Sequence, residues 1–129
     1  MLLIDTSVAV ALRENMRRVG DRFGRLSSLP LLSIVSIVEL EGGAAAAKEG
    51  RDARRQSLDT LYAALEILPF GEREAAGYRH IVTELGFSRR LVIDRMIAAQ
   101  AIVAGATLAT LNPRGFRDIP GLTIDDWSK

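Results

Sequence analysis

The stretch Leu2-Leu3-Ile4-Asp5-Thr6-Ser7 decides how this chain is read. Three apolar residues run straight into a carboxylate and two small hydroxyl residues. Such a run reads as a short buried strand. An acid at its C-terminal end stands where open α/β sheets place their ligands. The same three polar residues are also good helix caps. On this stretch alone the two readings stand level, and the other carboxylates of the chain have to separate them.

Outward from it, the chain alternates. Val8 to Arg13 reads as a short helix. Glu14 to Leu26 reads as a second, with Met16, Val19, Phe23 and Leu26 at spacings of three and four. Its Arg18, Arg22 and Arg25 share another face, either solvated or laid along a phosphate backbone. Residues 31–35, started by Pro30, predict a second buried strand. Ser36 and Glu39 then read as a capping box opening a helix to about Lys48, ended by Gly50. Arg51 to Glu66 predicts a helix, Ile67 to Phe70 a strand, and Gly71 to Leu85 a helix closed by Gly86. Leu91 to Ala104 is a strongly apolar helix with one acid, Asp94. Residues 106–110 form a strand, Asn112 to Gly115 a turn, and Ile119 to Ile124 a short strand or extended tail. Short strands alternating with helices predict one three-layer α/β/α domain over residues 1–129, around a mostly parallel four- to five-stranded sheet.

Composition narrows the function. A chain of 129 residues, 48% hydrophobic and 26% charged, buries a core without staples. It has no cysteine, which excludes disulfides, a thiolate nucleophile and a cysteine zinc site. No segment approaches the roughly 18 apolar residues of a membrane span, and no basic region precedes the first apolar stretch, so a cytoplasmic protein is expected. The net charge of +1 gives no global field toward nucleic acid. All but Lys48 and Lys129 of the 17 basic residues are Arg, the better bidentate partner of phosphate.

The carboxylates fall into two kinds. Most lie where charge is cheap: Asp21, Glu49, Asp52, Asp59, Glu72, Glu74 and Glu84 are on polar faces or at helix starts. Three do not. Asp5 ends a buried strand. Glu39 lies among Ile37, Val38 and Leu40. Asp94 shares a helix face with Ile97, Ala98 and Ala101. An ionised carboxylate on a packed face costs several kcal/mol unless compensated. A hard divalent cation, Mg²⁺ or Mn²⁺, compensates several at once.

These residues also resemble a family. Leu3 to Ser7, Ser36 to Leu40, Asp94 to Ala99, Ala106 to Phe116, and Ile119 to Leu122 before Trp127 together resemble the PIN-domain ribonucleases, in particular VapC-type toxins of toxin–antitoxin pairs. The likeness runs over essentially the whole chain. It implies a metal-dependent endoribonuclease in which Asp5, Glu39 and Asp94 hold Mg²⁺ or Mn²⁺. It implies a fourth catalytic position at Asn112, with Thr6 and Ser7 supporting the first acid. It also implies an RNA substrate, a homodimer, and a small VapB-type antitoxin, with Leu40 to Ala47 as a surface for it.

The chain departs from the family pattern in two places. Ser7 stands where many relatives carry Asn. Asn112 and Gly115 stand where many carry an acid, which leaves open a catalytically weakened, binding-only role. Arg89, Arg90, Arg95 and Arg114 neighbour the motifs and are the expected phosphate contacts. Tyr62, Tyr78 and Trp127 are aromatic candidates for stacking, the tyrosines more readily placed in the core. His80 is far from every motif. A dehalogenase-type phosphatase needs a second Asp at Ser7, and a receiver domain needs a late Lys, and neither is present.

Overall fold

The computed structural model describes residues 1–129. Its strands are β1 (Leu2–Ile4), β2 (Leu31–Ser33), β3 (Glu66–Leu68), β4 (Thr107–Thr110) and β5 (Ile124–Asp126). They form one sheet in the order β3-β2-β1-β4-β5, and every pairing is parallel. The helices are α1 (Thr6–Arg13), α2 (Arg17–Gly24), α3 (Ile34–Ala46), α4 (Arg51–Ala63), α5 (Glu72–Leu85) and α6 (Val92–Ala104). None is long and apolar enough to cross a membrane.

Strand alternation divides the core in two. Leu3, Leu31 and Leu108 face one side with Ile81 of α5, Ile97, Ala98 and Ala101 of α6, and Phe116. Ile4, Leu32 and Ala109 face the other, with Val8 of α1, Val19 of α2, Leu40 of α3, and Leu58 and Leu61 of α4. A parallel sheet covered on both faces is the expected three-layer arrangement. Gly77 lets α5 approach α6 closely, since a Cβ there would stand 3.3 Å from Val103.

The element boundaries carry the corrections. The second strand stops at Ser33, and α3 begins at Ile34, not Ser36. Ser33 is the N-cap, its hydroxyl accepting from the Val35 amide at 2.9 Å. The Ser36–Glu39 capping box therefore does not form, because both residues already lie within the helix. Ser33 also donates to the buried Gln100 on α6, which in turn donates to the carbonyls of Leu68 and Pro69. The second helix is only Arg17–Gly24, because Asn15 takes a left-handed turn at φ 58. The last strand lies at 124–126, after 119–122, since Ile119 and Leu122 pack on the core instead of pairing.

The arginine face of α2 is not free for phosphate. Arg18 donates to the Ser128 carbonyl, and Arg22 pairs with Asp125 and lies over the ring of Trp127. Trp127 is 1% exposed and closes the core, so it is no stacking residue.

Candidate active site

The strand order reverses between β1 and β4. From β1 the chain runs outward to β2 and β3, then returns to β4 on the other side. Ligand sites of open α/β sheets lie at this switch, outside the C-terminal strand ends. Asp5 follows β1 and Thr110 ends β4, so the sheet brings them side by side.

Asp5 is 4% exposed. Its Oδ1 accepts from the Val8 amide at 3.0 Å and the Ser7 hydroxyl at 2.6 Å, and its Oδ2 accepts from the Thr110 hydroxyl at 2.5 Å. Asp5 is thus the N-cap of α1, and its other oxygen is aimed at β4. The cap reading holds, and the cap leaves the second oxygen at the sheet edge where the site is expected. Each supporting hydroxyl is itself fixed: Ser7 accepts from the Leu111 amide at 3.0 Å, and Thr110 from the Asn112 amide at 2.9 Å. Burial pushes the Asp5 pKa up, and the bonds from Ser7, Thr110 and Val8 oppose that rise.

Asp94 lies in the first turn of α6. Burial raises its pKa first, the charges of Asp5 and Glu39 raise it further, and Arg90 opposes them. Asp94 therefore feels both of the other acids across the same edge. Glu39, on α3, is exposed and accepts from Thr6 at 2.6 Å, while Thr6 also shares a hydrogen bond with Ser36 at 2.8 Å. So Ser7 holds Asp5, and Thr6 holds Glu39.

None of Asp5, Glu39 and Asp94 forms an ion pair. As they stand, no three acidic or imidazole side chains are close enough to ligate one ion together. The donor set still fits a hard cation in chemistry: oxygen only and negative, with Asp94 repelled by the other two.

Asn112 is exposed beside Thr110. A Cβ built at Gly115 would stand 3.4 Å from Asp94 Oδ2 and 3.5 Å from Asn112 Nδ2. A side chain at Gly115 would thus start in van der Waals contact with both Asp94 and Asn112, and glycine leaves that position without an acid.

The basic candidates separate. Arg89, Arg90 and Arg114 are exposed and form no ion pair. Arg95 is 4% exposed, and its Nη1 donates to the Gly86 carbonyl at 2.7 Å. It is buried on the core face of α6, so the expectation of a direct phosphate contact is withdrawn. Thr110 is the residue whose role the sequence understated; the polar position closing β4 was its signal.

The chain belongs to the PIN-domain family, whose model matches residues 2–122, and within it to the VapC type. It is 31% identical to Ribonuclease VapC2 of Rickettsia felis, over 98% of each chain. It is 28% identical to the tRNA(fMet)-specific endonuclease VapC of Salmonella typhimurium, over 97% of this chain and 96% of that one. A crystal structure of VapBC2 from Rickettsia felis, bound to a DNA fragment of its promoter, superposes with a TM-score of 0.88 at 25% identity, covering 98% and 99% of the two chains.

Proposed function

We propose that this protein is a Mg²⁺- or Mn²⁺-dependent endoribonuclease toxin. It acts as a single PIN domain over residues 1–129, in the cytoplasm, and is neutralised by a VapB-type antitoxin. The observation that carries this reading is a set of three unpaired carboxylates, Asp5, Glu39 and Asp94, at the switch point of a VapC-like sheet.

Asp5, Glu39 and Asp94 would hold the cation. When bound, it supplies a water of lowered pKa and neutralises charge on the scissile phosphate. The chain's own groups do the positioning. Ser7, Thr110 and the Val8 amide fix the Asp5 carboxylate before any substrate arrives. Thr6 keeps Glu39 at the same edge. Asn112 presents a neutral amide beside the acids. The exposed Arg89, Arg90 and Arg114 offer guanidinium forks to the RNA backbone.

For the antitoxin, the proposed surface on α3 shrinks. Leu40 is buried in the core, so Val38, Gly42, Gly43, Ala45 and Ala46 are what the helix presents to a partner. A homodimer is part of this reading, checked by sedimentation.

The deciding experiment is cleavage of total RNA with Mg²⁺ or Mn²⁺, compared with Asp5→Asn. Metal-dependent cleavage that the variant loses supports the reading. The second reading, a weakened binding module, draws on the absence of an acid at Asn112 and Gly115, both beside Asp94. RNA bound but never cut, under any divalent metal, would establish it instead.

A further inference from the structure

Phe87 is 72% exposed, and the other aromatic residues are buried or half-buried. A single exposed apolar residue needs no explanation by itself. What surrounds this one does. The segment between α5 and α6 is pinned from both sides. Gly86 takes φ +83, a value that favours glycine, and its amide bonds the Val82 carbonyl at 2.8 Å. Its carbonyl accepts from the buried Arg95 at 2.7 Å. The Leu91 amide then bonds the Ser88 carbonyl at 3.1 Å, starting the single helical turn Arg89–Leu91.

Burying a guanidinium is costly, and here it is used to hold one loop carbonyl. The next residue after that carbonyl is Phe87. The loop therefore presents an aromatic ring to water from a fixed base. Arg89 and Arg90 follow within three residues, both exposed and neither ion-paired. The turn Arg89–Leu91 runs directly into α6, whose first turn carries Asp94, which places the segment beside the acidic edge. An aromatic face flanked by free cations is the arrangement that binds single-stranded nucleic acid, the ring taking a base and the cations its phosphates.

We propose that Phe87 is the stacking platform for an unpaired base of the RNA substrate, with Arg89 and Arg90 on the neighbouring phosphates and Arg95 as the positioning residue that fixes the platform. This rests on the endoribonuclease reading. The charge of the flanking residues favours a nucleic acid over an apolar partner surface.

The test uses the full chain carrying Asp5→Asn, so that RNA is bound without being cut, and a fluorescein-labelled single-stranded RNA of mixed sequence read by anisotropy. Phe87→Ala and Phe87→Leu are each expected to weaken binding about tenfold, and Phe87→Trp to retain it within about twofold, with its added indole emission quenched by the RNA. The residue is exposed, so these variants fold. A Leu variant that binds as well as Phe would show that bulk and not a ring face matters, and would overturn the proposal. So would a flat series, or a Phe87→Ala change in oligomeric state or antitoxin affinity with RNA affinity unmoved. Cleavage by the wild-type chain tests the parent reading separately. If it cuts while the Phe87 series is flat, only the platform falls; if it neither binds nor cuts RNA, both fall.

Discussion

Two carboxylate clusters are attached to α3, two residues apart, and they follow opposite rules. Glu41 is closed. Arg55 grips both its oxygens, at 2.5 and 2.9 Å, Tyr62 donates at 2.7 Å, and Arg55 reaches Asp59 as well. The bonds from Arg55 and Tyr62 bring the Glu41 pKa down to about 2, and burial, then Glu41, push Tyr62 up to about 12. Glu39 and its neighbours are open. Their hydrogen bonds come from hydroxyls and an amide, which orient a carboxylate without cancelling its charge. The Asp94 pKa rises where the Glu41 pKa falls. Both clusters are acidic in sequence; only one retains unmet demand for a cation.

The contrast can be broken by substitution, starting with the largest effect. Asp5→Asn should lower cleavage by about three orders of magnitude, because a metal-bound water is worth several kcal/mol in such chemistry. Asn still caps α1, so the circular dichroism melt should stay cooperative. Thr110→Val removes the hydroxyl on Asp5 Oδ2 and should cost about tenfold to a hundredfold in cleavage rate, measured under saturating Mn²⁺.

Asp94→Asn should do something different in the absence of metal. It relieves burial and repulsion, so the melting temperature should rise by about 3 °C after allowing for solvent screening. The sign with pH follows. Asp94 is raised above its unfolded value, so the metal-free protein gains stability as pH falls through the interval between the two, and the variant should lose much of that gain. Glu41→Gln should show the reverse sign and the smallest effect, a drop of about 1 °C at neutral pH. Glu41 is depressed from 4.5 to about 2, so its contribution is present above 4.5 and lost as pH falls toward 2. Differential scanning fluorimetry across pH separates the two signs.

Much of this was legible in the chain. Leu2–Ile4 reads as a buried strand because nothing polar interrupts it, and β1 is indeed the central strand. The three acids stood out because apolar neighbours surround them. What could not be read was which of several equivalent groups takes a given partner. Ser33 and Ser36 are both good caps, and the sheet's end at Ser33 decides between them. Arg90 and Arg95 look alike in sequence, but the phase of α6 turns Arg95 inward to the Gly86 carbonyl. Arg18 and Arg22 look solvated until the C-terminal segment Asp125–Ser128 returns across the molecule to meet them. Such pairings depend on contacts more than a hundred residues apart, and local pattern carries no trace of them.

The bond from Thr110 to Asp5 joins residues 105 positions apart. A ribosome makes Asp5 well before Thr110, and domains fold as they emerge. The growing chain can shape α1 and pair β1 with β2 early, yet Oδ2 of Asp5 lacks its Thr110 partner until β4 docks. Long-range pairing of this kind is the slow part of folding. The fixed Asp5 carboxylate therefore arrives only once β4 has been made. A chain abandoned before residue 110 has the acid without its setting, which only β4 supplies.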